Sequence, residues 1–150
     1  MAGCLYHFAG GGLPPHVKTV AVLPFDNETP APTIQQELYT AMRRQVLARL
    51  GLREAPEATA NALVRGRITR YDVDIPVSYS ADPRQANTAR RKLQITLDVE
   101  IIDQTNGKTL WSQKGLLSEG DYPERGEQEG RKVAIDKIVN DVITGAQSQW

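Results

Sequence analysis

The chain has 150 residues, with 18 Lys plus Arg against 18 Asp plus Glu and 40% hydrophobic residues. That length holds one domain around one core, and the composition is that of a folding chain rather than a disordered one. Balanced charge disfavours a strongly cationic nucleic-acid binder, no run reaches the ~18 apolar residues of a membrane-spanning helix, and the single cysteine excludes an internal disulfide or a thiolate zinc cluster.

That cysteine, Cys4, comes after Met1, Ala2 and Gly3. Ala-Gly-Cys resembles the end of a bacterial lipoprotein signal, where small residues precede the cysteine that becomes acylated. Met1 stands where Leu is usual, as in a precursor cut short. On this reading Cys4 carries acyl chains that tether the protein to a membrane. Leu5 is next, where an Asp commonly retains a lipoprotein at the inner membrane, so the reading leans toward the outer one. Residues 5–16 read as an irregular tether: Gly10–Gly12 is flexible, and Pro14–Pro15 stiffens the chain on its way into the domain. Residues 17–150 read as a single domain.

Val17 to Leu23 is an apolar run stopped by Pro24, expected as a buried strand. Thr33 with Gln36 has a capping-box pattern. Ile34, Leu38, Met42, Val46 and Leu50 recur at helical spacing, with Ala41 and Leu47 widening the stripe and Gly51 as the stop. From Leu63 to Ile68, Val64, Gly66 and Ile68 share one strand face, with Arg65 and Arg67 on the other. Tyr71, Val73, Ile75, Val77 and Tyr79 alternate in the opposite parity, so an extra residue is expected near Thr69–Arg70. Pro76 lacks an amide donor and belongs at an edge.

Leu93, Ile95, Leu97, Val99 and Ile101 give the cleanest alternation, a strand with one buried face. Asp103 to Gly107 is a tight-turn sequence, and Thr109 to Leu117 is expected as the hairpin partner. Gly120 to Gly126 reads as a loop. Glu127 to Ser148 reads as a second helix, its stripe formed by Ile135, Ile138, Val139, Val142 and Ala146. The order β-α-β-β-β-α predicts an α+β two-layer sandwich: a mixed sheet of about four strands with both helices on one face. The first two strands would be parallel across a helical crossover, and the last three an antiparallel meander.

Catalytic and metal-binding patterns are sparse. His7 and His16 have no metal-ligand spacing around them, Gly-x-Ser-x-Gly does not occur, and Asn106-Gly107-Lys108-Thr109 lacks the upstream glycine of a phosphate loop. Asp72 and Asp74 would share a strand face, the pattern of a solvated charged surface. No enzyme activity, cofactor or metal is therefore expected. The candidate site is basic. Arg84, Arg90, Arg91 and Lys92, with only Asp82 against them, fall on the connection from Ser80 to Lys92, expected as the tip of a protruding hairpin. Clustered guanidinium groups bind phosphates through bidentate charge-assisted bonds. Nucleic acid is a poor ligand for it, because no recognition-helix motif appears and aromatics for stacking are few.

Several stretches stand in a telling order: Leu5 to Gly10 after Ala-Gly-Cys, Leu13 to Asn27 with Val-Ala-Val-Leu-Pro-Phe inside it, Gln36-Glu37-Leu38, Val64 to Ile68, and Ile102 to Trp111. This order resembles the LptE family of lipopolysaccharide-assembly lipoproteins over nearly the whole chain. The family's usual Cys-Gly-Tyr opening is Cys-Leu-Tyr here. The resemblance implies a non-enzymatic protein on the periplasmic face of the outer membrane. Such a protein sits in the LptD β-barrel as a plug, helps that barrel assemble and contacts lipopolysaccharide. Two other classes stay open: a periplasmic adaptor for another protein, such as a cell-wall synthase activator or a curli-secretion-like lipoprotein, and an enzyme, which would require a site assembled from scattered residues.

Overall fold

A computed structural model describes residues 13–77, 90–123 and 125–148. The elements are β1 (Thr19–Val22), β2 (Asp26–Asn27), α1 (Pro32–Leu50), β3 (Arg53–Glu54), β4 (Ala62–Pro76), β5 (Arg90–Asp103), β6 (Lys108–Pro123) and α2 (Glu127–Ser148). Among the described residues the sheet has six strands, ordered β3-β1-β4-β5-β6, with β2 also paired to β4. This exceeds the four strands expected, because β2 and β3 are two-residue strands with no alternation to read. The class and the mixed topology agree with expectation. β1 runs parallel to β4, and β4, β5 and β6 form the antiparallel meander.

One cluster joins both helices to one sheet face. It holds Ile34, Leu38, Met42 and Val46 of α1, Ile138, Val139 and Val142 of α2, and Ile68, Leu93, Ile95, Leu97 and Ile101 of the sheet. Removing this apolar surface from water is the main driving force for the two layers to stack. A smaller cluster of Ala21, Ala60 and Leu63 takes the opposite parity on the other face.

The start of α1 departs from the capping-box expectation. Ala31 is the N-cap, with no side-chain bond of its own, and Pro32 opens the helix. Side chains from before the helix instead fix the turn that leads into it. Asn27 Nδ2 donates to the Ala31 carbonyl at 2.9 Å, and the Ala31 amide donates to Thr29 Oγ1 at 3.3 Å. Proline suits the first helical position because its missing N–H would have no partner there. Gly51 ends the helix with φ 65, as expected, a conformation in which a Cβ is disfavoured.

β4 carries two bulges. The first, between Ile68 and Arg70, is the extra residue that the change of parity requires. The second, between Asp72 and Ile75, breaks the alternation expected from Tyr71 through Val77 and leaves Val73 exposed. At this bulge Asp74 adopts φ 56. The buried Tyr122 hydroxyl holds it, accepting from the Asp74 amide at 2.8 Å and donating to Asp74 Oδ1 at 2.8 Å. β2 pairs with β4 only as far as Ile68, so Pro76 lies on a stretch that no described strand flanks on that side, in keeping with its missing donor.

β6 continues to Pro123, where the sequence reads as a loop from Gly120. The glycine there serves a close approach instead of a turn. Gly120 pairs with Leu93, and a Cβ on it would stand 1.9 Å from the Gly130 carbonyl oxygen of α2.

Candidate functional site

Arg90, Arg91 and Lys92 are the first three residues of β5, not part of a loop. Arg90 pairs with Pro123, Arg91 with Tyr122 and Pro76, and Lys92 with Asp121 and Ile75. Successive strand side chains point to opposite faces. Arg91 therefore shares the face of Leu93 and Tyr122, the helix side, while Arg90 and Lys92 share the other. Lys92 Nζ lies 3.2 Å from Glu119 Oε2, and Glu119 also accepts from Gln94 Nε2. Those two partners, Gln94 first, hold the Glu119 carboxyl below its usual range. The three residues thus stand at one end of the sheet but on two faces. Arg84 and Cys4 lie outside the described residues.

Asp72 and Asp74 do not form the shared carboxylate face that simple alternation predicts, because the second bulge separates them. Asp72 lies 3.3 Å from Arg70, and Asp74 is taken by Tyr122. Below Arg91 on the helix side, Tyr71 Oη donates to Glu127 Oε2 at 2.6 Å. Arg131 makes a bidentate contact to Glu37 at 2.8 and 3.3 Å and reaches Glu127 at 3.2 Å. Burial, then the bond to Glu127, pushes the Tyr71 phenol well above its ordinary range, and Glu37 does the same for the Arg131 guanidinium. This network joins β4, α1 and α2, and sequence reading missed it because its members are far apart in the chain.

At the opposite end of the sheet, His16 Nε2 contacts Asp103 Oδ2. Asp103 is 1% exposed and also accepts from the Thr105 amide and hydroxyl. Burial alone would push this carboxyl up, but the Thr105 and His16 bonds outweigh it and hold it below the usual range. The segment before β1 is thereby fixed to the β5–β6 turn, with Leu13 packed on the core. β5 spans 14 residues, so at ~3.3 Å per residue the Arg90 end stands roughly 40 Å from this contact.

The sheet face away from the helices is a ladder of paired charges. Arg65 meets Glu100 at 2.8 Å, and Arg67 meets Asp98 at 3.1 Å and Glu28 at 3.6 Å. Asp98 also accepts from the Gly115 amide, the first cause holding its carboxyl below the usual range, with Arg67 next. Among the described residues, no helix is long and apolar enough to cross a membrane.

A six-stranded mixed sheet carrying two helices on one face is an architecture shared with solved bacterial lipoproteins. The chain is similar to a minor lipoprotein from Acinetobacter baumannii at 15% identity and TM-score 0.55, covering 88% of this chain and 94% of that one. It is similar to lipoprotein GNA1162 from Neisseria meningitidis at 16% identity and TM-score 0.50, covering 83% and 97%. The hypothetical protein CT253 from Chlamydia trachomatis aligns at 10% identity and TM-score 0.56, covering 86% and 97%. At such identities the likeness concerns the fold. No curated protein matches the sequence. The family model described as LptE, lipopolysaccharide-assembly, matches residues 17–143, and the chain belongs to that family.

Proposed function

We propose that this chain is a non-enzymatic outer-membrane lipoprotein, acylated at Cys4, that assists an LptD-like β-barrel and hands lipopolysaccharide toward the outer leaflet. Family membership over residues 17–143 carries the reading. In it, residues 1–16 are the tether and residues 17–150 the working domain. Arg84, Arg90, Arg91 and Lys92 bind lipopolysaccharide phosphates. The strand geometry supports a two-sided contact, with Arg91 on the helix side and Arg90 with Lys92 on the other, so that one polyanionic headgroup can straddle the end of the hairpin.

The test is a titration with purified lipopolysaccharide at two salt concentrations, beside a thermal melt. Replacing all four cations by Ser lowers affinity while the melt stays near wild type. Binding weakens as salt rises, because exposed charges are screened beyond ~10 Å at 0.1 M. Arg91→Lys keeps the charge but loses the planar fork, and falls between wild type and Arg91→Ser. A four-site variant that binds as tightly as wild type removes the cluster from the account.

A further inference from the structure

The stretch that leads back toward Cys4 is fixed at the Asp103 end of the sheet. Leu13 packs on the core, the Val17 amide donates to the Pro14 carbonyl at 2.9 Å, and His16 is held on the buried Asp103. Cys4 stands nine residues before Leu13, so even fully extended, at ~3.6 Å per residue, it lies no more than ~32 Å away. The Arg90 end is roughly 40 Å along β5 from the His16–Asp103 contact. With Cys4 acylated, the Asp103 end is therefore the end nearest the membrane.

That end carries three unpaired cations. Thr19 pairs with Arg53, Val20 with Ala62, Ala62 with Asp103 and Asp103 with Lys108, so these strand ends stand in one row. Lys18, Arg53 and Lys108 belong to it. All three are exposed, and among the described residues no hydrogen bond or ion pair reaches their side chains. Their backbones are fixed. The Arg53 amide donates to the Lys18 carbonyl at 3.0 Å, the Lys18 amide to Asn61 Oδ1 at 2.9 Å, and the Lys108 amide to Asn106 Oδ1 at 2.9 Å. Of the carboxylates nearby, Asp103 is taken by His16 and Thr105, and Glu54 by a bidentate contact from Arg43. Glu57, on the β3–β4 connection, is the exposed acid that remains there among the described residues. In a chain of net charge +0, the surplus is local.

Spacing and position together select the partner. From Arg53 on β3 to Lys108 on β6 the sheet takes four interstrand steps, ~19 Å at ~4.8 Å each. One phosphate group cannot touch both, whereas a surface of many phosphates meets all three cations at once. The stretch toward Cys4 departs from this same row, which sets a lipid surface opposite it in preference to an acidic protein. Attraction of basic residues to anionic lipid falls off within a Debye length, so an acyl anchor supplies the closeness that these charges need.

We propose that the Asp103 end of the sheet is a membrane-facing surface, on which Lys18, Arg53 and Lys108 engage the phosphates of anionic phospholipid headgroups. Its orientation rests on the tether reading of Cys4, and it is separate from the cluster at the Arg90 end.

Co-sedimentation of the unacylated full chain with vesicles of phosphatidylglycerol and phosphatidylcholine in equal parts, at low salt, tests it. Binding is expected to these vesicles and not to phosphatidylcholine alone. Lys18→Ser, Arg53→Ser and Lys108→Ser each weaken it about fivefold and together about a hundredfold. The charge-keeping set Lys18→Arg, Arg53→Lys and Lys108→Arg binds like wild type. Arg65→Ser with Arg67→Ser, whose guanidinium groups are already paired on the open sheet face, leaves binding unchanged. A thermal melt of each variant confirms that the fold is intact. In a Cys4→Ser background, an environment-sensitive dye on Asn106→Cys, in the β5–β6 turn, shifts to shorter wavelength on the vesicles. The same dye on Asp121→Cys, near the other end of β6, does not. No binding to the phosphatidylglycerol vesicles, equal binding to phosphatidylcholine, or an undiminished triple variant overturns the proposal. So does displacement by inorganic phosphate at matched ionic strength, or a dye shift at Asp121 in place of Asn106. Mass spectrometry of Cys4 reads the tether by itself, so a failed anchor and a failed surface are told apart.

Discussion

Gly120→Ala isolates the contact that sets the distance between β6 and α2. An alanine methyl at this position meets the Gly130 carbonyl oxygen at 1.9 Å, the Gly130 carbonyl carbon at 2.8 Å and the Ala134 nitrogen at 3.1 Å, all backbone atoms that no rotamer change can move. Ordinary C···O contacts begin near ~3.3 Å, so α2 must retreat by roughly 1.4 Å at this point. That retreat lifts Ala134, Ile135 and Ile138 off the sheet and loosens the Ser118 Oγ bond to the Ala134 carbonyl at 2.8 Å. Overpacking typically costs about 1–3 kcal/mol, and the lower unfolded-state entropy of alanine returns only about 0.5–1. The net loss is about 2 kcal/mol, toward the upper end because the clash is with backbone. For a domain of this size that is a drop of roughly 6–10 °C in the midpoint of a thermal melt. The comparison is Gly107→Ala, where nothing lies within 4 Å and only the φ of 74 opposes a side chain. It should lose less, about 1 kcal/mol. If Gly120→Ala melts at or above wild type while Gly107→Ala falls, the helix does not seat on the strand as argued.

Leu97→Ala and Ile138→Ala, both at 0% exposure, should each cost about 2–5 kcal/mol in urea unfolding, whereas the exposed-face change Asp98→Ala should move the midpoint far less. Tyr122→Phe removes the hydroxyl that holds Asp74 and should cost about 1–2 kcal/mol, with Asp74→Gly on the Phe background recovering part of it by relieving the φ of 56. Asp103 has a folded-state pKa below its unfolded value, so its contribution is present above about pH 4 and is lost as pH falls through the folded value. Midpoints measured from pH 6 to pH 2 should therefore decline, and less steeply in Asp103→Asn; an identical slope would remove Asp103 from the acid response. Mass spectrometry of protein made with a complete signal peptide should show acyl chains on Cys4, and unmodified soluble protein would reject the tether.

The periodic elements were legible. The β5 alternation buries every residue its spacing selects, the α1 stripe buries Ile34, Leu38, Ala41, Met42 and Val46 and leaves Leu47 and Leu50 partly buried, and the parity change at Thr69 marks the first bulge of β4. What failed was local signal with a distant cause. Gly120 reads as a turn because glycine is common in turns, but here it answers the backbone of α2, which lies later in the chain. The capping box at Thr33–Gln36 lost to Asn27 and Thr29, which reach the helix start through a turn. The second bulge of β4 depends on Tyr122, far away in sequence. For the basic cluster the signal was present and unused. Arg91 sits two residues before Leu93, so extending the β5 alternation by one step already separates it from Arg90 and Lys92.

The central claim is that this LptE-family chain works with a barrel in lipopolysaccharide assembly, and affinity capture from detergent-solubilised envelopes tests it most directly. Tagged, acylated protein should co-purify with an LptD-type β-barrel in near-equal amounts, together with lipopolysaccharide. Capture of a cell-wall synthase or a secretion component in its place, or of no envelope protein at all, would contradict the account.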